Sequence, residues 1–170
     1  MTDGTSNART SSGASPRKQD MDAIDTAILR ELQSNARKTN REVAAAVGVS
    51  PTTALDRTRS LHARGVIRGA ILDVDLPSIG RPVQALVAVR IRPPSRKSIE
   101  AFRDWAQSLP ETLGVFVTTG NEDFIIHVAV ADNDSLYAFV IDKLTQRPEI
   151  ADVRTSVVYE HLRNTAVEPL

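Results

Sequence analysis

The side chains best suited to recognise another molecule lie in a short stretch that opens with the Ser50-Pro51 pair. An arginine can bind a guanine edge or a phosphate through two hydrogen bonds at once, and hydroxyl groups can bind either target. The free amides that follow a serine cap can also receive a phosphate. We expect Arg57 to make the most important contact. The predicted DNA-contacting residues are Ser50, Thr52, Thr53, Asp56, Arg57, Arg59 and Arg64.

The distribution of charge supports this prediction although the whole chain is neutral, with 21 Lys and Arg against 21 Asp and Glu. Between residues 35 and 68, seven basic residues stand against two acidic ones, which gives a local charge of +5. A phosphate backbone responds to the face presented to it rather than to the total charge. The alternative is a three-helix packing module whose charged surface serves only solubility.

A second candidate site is the turn at residues 119–123, Thr-Gly-Asn-Glu-Asp. A glycine-containing turn can direct backbone amides at a carboxylate, while Asp123 offers a negative charge to an ammonium group. These are the two fixed groups of any amino acid, so Thr119, Gly120, Asn121 and Asp123 are predicted to bind such an effector. The alternative is an ordinary hairpin turn without a ligand.

The remaining reactive residue types do not form a catalytic or metal-binding pattern. His62, His127 and His161 fall in separate predicted elements, and neither a nucleophile elbow nor a phosphate-cradling loop occurs. Cysteine is absent, which excludes disulfides and thiolate metal sites and agrees with a reducing compartment. The sequence therefore predicts no enzyme, no metal and no cofactor. It also contains no membrane span or secretory signal, so the protein is expected in the cytoplasm, in association with the DNA of the nucleoid.

Three predicted helices position the first site. The first covers residues 22–34, and the second begins at a capping box formed by Thr39 and Glu42. A turn over residues 48–50 then leads into a third helix over residues 51–64. Two short helices joined by so tight a turn are typical of a helix-turn-helix, whose second member lies in the major groove of DNA.

The C-terminal part has the order β-α-β-β-α-β, which is typical of a ferredoxin-like fold with an antiparallel sheet and both helices on one face. The fold class is therefore α+β. The predicted elements are a strand over 84–92, a helix over 95–109, strands over 113–119 and 124–131, a helix over 134–146 and a strand over 151–159.

Both faces of this sheet are predicted to be apolar. In the first strand Val87 and Val89 point to one face and Leu86 to the other, and in the third Ile126 is opposed by Ile125. Two helices cover one face only, so we expect the second face to pack on the sheet of another copy in a two-fold dimer.

These elements divide the chain into five predicted segments. They are a disordered arm (1–20), a helix-turn-helix domain (21–69), a connecting segment with a short strand over 69–75 and a linker (70–82), a ferredoxin-like domain (83–163) and a C-terminal tail (164–170).

Several short segments also match the sequence pattern of a known protein family. They are Asp25-Thr26-Ala27-Ile28-Leu29, Arg41-Glu42-Val43-Ala44, Gly48-Val49-Ser50-Pro51, Arg57, Leu61, Gly65-Val66-Ile67-Arg68-Gly69 and Thr119-Gly120-Asn121-Glu122-Asp123-Phe124. Together they resemble the Lrp/AsnC (leucine-responsive and asparagine-regulator, or feast/famine) family of transcription factors, over roughly residues 22–162.

The resemblance implies a winged helix-turn-helix that binds double-stranded DNA and a regulator-of-amino-acid-metabolism (RAM) domain that forms dimers and higher oligomers. It also implies that small effectors, expected to be amino acids, bind between protomers, and that Ser156 and Val157 lie near the effector. The expected function is therefore effector-responsive, sequence-specific regulation of transcription. The alternative is a nucleoid-like architectural protein that binds DNA without an effector response.

Overall fold

The computed structural model describes residues 21–164 and 166–169, so the arm predicted over residues 1–20 lies outside the described residues. The chain divides into two compact units. One, the N-terminal unit, extends to Ile71 and includes the tail from Arg163 onward, and the other, the C-terminal unit, comprises Leu72–Leu162.

Local capping interactions define the helices of the N-terminal unit. The Asp22 carboxylate accepts a hydrogen bond from the Asp25 amide at the start of the first helix. Thr39 and Glu42 form the predicted capping box, and the Ser50 hydroxyl accepts a bond from the amide of Thr53. The three helices are α1 (Ala23–Ser34), α2 (Asn40–Val47) and α3 (Pro51–Ala63).

The three helices enclose a small core of five buried apolar residues, Ile28, Val43, Ala44, Ala54 and Leu61. The chain reverses direction between α2 and α3 at the residue after α2, a glycine in the left-handed conformation with φ of 77°. The predicted helix-turn-helix is thereby confirmed.

The strand predicted over residues 69–75 is not formed. The described chain runs without regular structure from Gly69 to Asp75, and the side chains of Ile71 and Leu72 are 92% and 84% exposed. Alternating apolar residues indicate a strand only where a second strand completes the hydrogen-bond ladder. None of the described strands pairs with this segment, and the prediction was wrong for that reason.

The C-terminal unit contains four strands and two helical segments. The elements are β1 (Val83–Ile91), α4 (Arg96–Ser108), β2 (Thr112–Val117), β3 (Phe124–Val130), α5 (Asn133–Ala138) and β4 (Ile150–Val158). The strands form an antiparallel sheet in the order β2-β3-β1-β4, which is the predicted ferredoxin-like topology. The second helical segment begins as an α-helix and continues with π-type hydrogen bonding over Phe139–Leu144.

The two faces of the sheet differ in what covers them. One face packs on α4 and α5, and its side chains are fully buried, among them Val87, Phe124 and Ile126. We call the other the open face, which carries Leu86, Phe116, Ile125 and His127. No described element of this unit covers it, and Leu86 and Phe116 are 39% and 57% exposed.

Candidate nucleic-acid interface and ligand site

The exposed surface of α3 carries polar groups that share one side of the helix. Thr52, Asp56 and Arg59 are exposed and follow one another at spacings of four and three residues, which places them on one helical face. The opposite side contributes Ala54 and Leu61 to the core. The structure therefore brings three of the predicted contacts together on an accessible helix face.

Two further predicted contacts lie at the N-terminus of α3. The hydroxyl groups of Ser50 and Thr53 are 2.8 Å apart, and the Thr53 amide donates to the Ser50 hydroxyl at 3.1 Å. Pro51 occupies the first turn. The first turn of a helix carries a partial positive charge and free amides, so this end of α3 is suited to bind an anion such as a phosphate.

The other two predicted contacts, Arg57 and Arg64, are directed at α1. One guanidinium nitrogen of Arg57 lies 2.6 Å from Asp22 and 3.3 Å from Asp25. Arg64 lies 2.9 Å from the second oxygen of Asp25. The bond to Asp22 raises the pKa of Arg57 above its usual value. These two arginines are therefore engaged within the helix-turn-helix itself.

Sequence reasoning overlooked the acidic partners of these arginines. Asp22 caps α1, and Asp25 is buried, a position that helical spacing alone does not predict. The hydrogen bond from the Asp25 amide, followed by the Arg57 contact, lowers the pKa of the Asp22 carboxyl group. The Asp-x-x-Asp spacing in the first turn of α1 was the signal available, because it places two carboxylates on one side of the helix.

The turn between β2 and β3 accepts hydrogen bonds from β1. Gly120 has a φ of 115°, a conformation that favours glycine. Arg90 donates to the carbonyl oxygen of Asn121 at 2.8 Å, and one Asp123 oxygen accepts from the amide of Ile91 at 2.8 Å. Thr119, Gly120 and Asn121 remain exposed, whereas the Asp123 carboxylate already has a backbone partner.

Ser156 and Val157 do not lie beside this turn in the single chain. They pair with Leu86 and Ala85 of β1, whereas the Asp123 amide donates to the carbonyl oxygen of Val89. Val89 lies three positions beyond Leu86 along β1, which corresponds to a distance of about 10 Å. The two groups of predicted effector residues are therefore separate within one chain.

A cavity of about 480 Å³ lies on the open face. The ring of His127 is 3.0 Å from the side-chain oxygen of Gln84 and makes an edge-to-face contact with His161 at a centroid distance of 5.5 Å. The cavity wall is mostly apolar. Its lining residues are Leu86, Phe116, Thr118, Ile125, His127, Val158, Glu160 and His161.

Among the described residues, no group of histidine and acidic side chains has the arrangement of a metal site. The helices in this part of the chain are too short or too polar to cross a membrane.

A three-helix unit with an exposed polar recognition helix, followed by a ferredoxin-like unit, defines the class of two-domain helix-turn-helix regulators. Residues 21–62 match the model of the AsnC-type helix-turn-helix domain, and residues 84–167 match that of the Lrp/AsnC ligand binding domain. The chain belongs to the Lrp/AsnC family of transcriptional regulators. This family consists of regulators rather than enzymes, and on that ground the predictions of family and of a non-enzymatic role are confirmed.

Individual relatives agree with this membership along nearly the whole chain. The HTH-type transcriptional regulator AldR of Mycolicibacterium smegmatis is 35% identical, over 98% of this chain and 99% of its own length. A transcriptional regulator of Neisseria meningitidis, solved as a complex with L-Met, has 29% identity and a TM-score of 0.79, covering 85% of this chain and 94% of that one. Escherichia coli AsnC has 28% identity and a TM-score of 0.78, covering 89% and 100%.

His127, on the open face, leads to a prediction about how the stability of the protein depends on pH. Burial, and then the neighbouring His161, lower the pKa of His127. The unfolded chain therefore binds this proton more readily than the folded chain, and stability should fall as the pH drops through the ordinary histidine range. We expect His127→Gln to reduce the loss of stability between about pH 7.5 and about pH 5.5.

Urea unfolding followed by the fluorescence of Trp105, in the same unit, measures this difference. His62→Gln is the matched control, because His62 is exposed on α3 in the other unit. It should retain the pH dependence of the wild type. An unchanged pH dependence in His127→Gln would show that this histidine does not control it.

Proposed function

We propose that this regulator binds DNA sequence-specifically through α3, assembles through the open face and responds to an amino acid. The observation that carries the DNA-binding part is the exposed row of Thr52, Asp56 and Arg59 on the second helix of a helix-turn-helix. Polar side chains on this helix can read base edges in the major groove. Such a protein acts in the cytoplasm, on the nucleoid.

The positions of the arginines refine the contacts proposed from the sequence. Arg59 is exposed, and among the described residues no ion pair involves it. Arg57 and Arg64, by contrast, already bind carboxylates of α1. We therefore propose that Arg59 is the principal arginine contact with DNA. Thr52, Thr53 and Asp56 would contact bases, and the Ser50 end of α3 a phosphate.

We expect Arg59→Ala to weaken binding to DNA by about 1–3 kcal/mol, because one charge-assisted contact is lost. A duplex selected from a random pool by the wild-type protein serves as the probe, in a fluorescence anisotropy titration at fixed salt. The control is Arg103→Ala, which removes an exposed arginine from α4 in the other unit. Equal affinities for Arg59→Ala and the wild type would contradict the assignment.

The same titration distinguishes a sequence-specific regulator from an architectural DNA-binding protein. A sequence-specific regulator binds the selected duplex much more tightly than random competitor DNA, typically by 10³-fold or more. A nucleoid-like architectural protein would show a ratio near one, because it responds to the backbone and shape of DNA.

The open face supports the proposed self-association. It presents partly exposed Leu86 and Phe116 next to Ile125, on a sheet whose other face is already buried. A two-fold axis pairs a surface with its own copy, so a single apolar face is sufficient for a dimer. Larger assemblies would use further surfaces of that dimer.

We expect Leu86→Arg to convert the protein to a monomer at about 10 µM, because the substitution places a charge in the centre of the proposed interface. Static light scattering gives the mass directly. Tyr137→Arg is the control, since Tyr137 is 68% exposed on α5, on the helical side of the sheet. The proposal fails if Leu86→Arg and Tyr137→Arg have the same oligomeric mass as the wild type.

The turn between β2 and β3 supports an amino-acid effector. Its exposed Thr119, Gly120 and Asn121 can bind the carboxylate, and the Asp123 oxygen that does not bind Ile91 can accept from the ammonium group. The relative from Neisseria meningitidis is a complex with L-Met. Because Ser156 and Val157 lie elsewhere in the single chain, we propose that a second protomer completes the site.

Isothermal titration calorimetry with the twenty amino acids tests the effector proposal. At least one amino acid is expected to release or absorb heat with the wild type, and Asn121→Ala should weaken that response. The arginine bond to Asn121 uses its backbone oxygen, so truncation of the side chain leaves it in place. Gln107→Ala, an exposed change on α4, is the control. Absence of heat with every amino acid would refute the proposal.

A further inference from the structure

Asp25 is a buried charge at the centre of the N-terminal unit. It is 1% exposed, and no other charged side chain among the described residues is buried to this extent. One of its oxygens lies 3.3 Å from Arg57 and the other 2.9 Å from Arg64. A buried carboxylate is stable only where such partners replace water. Asp25 therefore depends on Arg57 of α3 and on Arg64, the C-cap residue of the same helix.

The two arginines hold α3 at two separate points. Arg57 and Arg64 are seven residues apart, which corresponds to two helical turns and about 10 Å along the axis. Both reach the same carboxylate on α1, and Asp22 provides a second partner for Arg57 at 2.6 Å. Two contacts at different heights fix both the rotation of a helix about its axis and its position along that axis.

Apolar packing alone would define this orientation less well. The core residues contributed by α3 are Ala54 and Leu61, one of which is small. Apolar contacts are not directional, whereas ion pairs with hydrogen-bond geometry are. The orientation that directs Thr52, Asp56 and Arg59 outward thus depends on the carboxylates of α1.

The same arrangement changes the electrostatics of the DNA-binding surface. Asp22 and Asp25 carry two negative charges, and Arg57 and Arg64 carry two positive charges, so the four-residue network is neutral. Guanidinium groups that retain these carboxylate partners do not release counterions from DNA. Arg57 and Arg64 should then make no contribution to the salt dependence of binding.

We propose that Asp25 is a positioning residue for DNA recognition, which acts by holding Arg57 and Arg64 so that α3 presents its polar face. The two arginines act through the placement of α3 rather than through contact with bases or phosphates. This inference rests on the proposed DNA-binding function and names the residues that control its geometry.

The first test is Asp25→Asn, which keeps the shape of the side chain and removes its charge. Affinity for the selected duplex is expected to fall by about tenfold or more, since Arg57 and Arg64 bind different oxygens of Asp25 and the amide NH2 that replaces one oxygen cannot accept from a guanidinium group. The ratio of the affinity for the selected duplex to the affinity for random DNA should fall as well. Circular dichroism and the light-scattering mass should remain those of the wild type. Wild-type affinity in a folded Asp25→Asn variant would overturn the inference.

The second test keeps the carboxylate and does not depend on how Asp25→Asn folds. Arg57→Gln and Arg64→Gln are titrated at several salt concentrations, with Arg59→Ala for comparison. For a positioning role, both Gln variants lose affinity without a change in the slope of log K against log salt. Loss of a phosphate contact instead makes the slope shallower by about 0.9, as expected for Arg59→Ala if it binds a phosphate. A shallower slope for Arg57→Gln or Arg64→Gln would overturn the inference.

A double-mutant cycle identifies the coupling directly. The effects of Asp25→Asn and Arg64→Gln on DNA affinity should be strongly non-additive, because both substitutions break the same ion pair. The effects of Asp25→Asn and Arg59→Ala should be close to additive, because these two residues share no contact. Additive effects for Asp25 and Arg64 would overturn the inference. The proposed function fails separately, if the wild type itself selects no duplex.

Discussion

The architecture depends on an antiparallel sheet that is apolar on both faces and has helices for only one. Burial of apolar surface is the main favourable term in folding, and α4 and α5 bury one face of the sheet by packing on it. The open face, with Leu86, Phe116 and Ile125, retains accessible apolar area. In the proposed assembly, a second copy of the chain supplies the missing layer without any new element. Self-association would then follow from the same packing requirement that forms the domain.

The N-terminal unit combines a small apolar core with a buried ion-pair network, which we infer to orient α3 together. Five buried apolar residues form the centre of its core. The buried carboxylate of Asp25 and its ion pairs to Arg57 and Arg64 add directional contacts between α1 and α3. Recognition of DNA, in this account, depends on a polar network that itself need not touch DNA.

Features encoded by neighbouring residues could be predicted from the sequence, and features that depend on distant partners could not. The Thr39 capping box and the strand order follow from local spacing and from topological rules. The ion pairs of Arg57 could not be predicted, because its carboxylate partners, Asp22 and Asp25, are in another part of the chain. The segment from Gly69 was predicted as a strand although no described strand pairs with it. The separation of Ser156 from the turn between β2 and β3 within one chain depends on the strand register, which places Ser156 opposite Leu86.

The proposed assembly depends on whether a second chain covers the open face. Sedimentation equilibrium of the unmodified protein, over a concentration range from about 0.1 to about 10 µM, tests this claim most directly. We predict a mass of twice 18.5 kDa, or a multiple of that dimer. A mass of 18.5 kDa across the whole range would contradict the account.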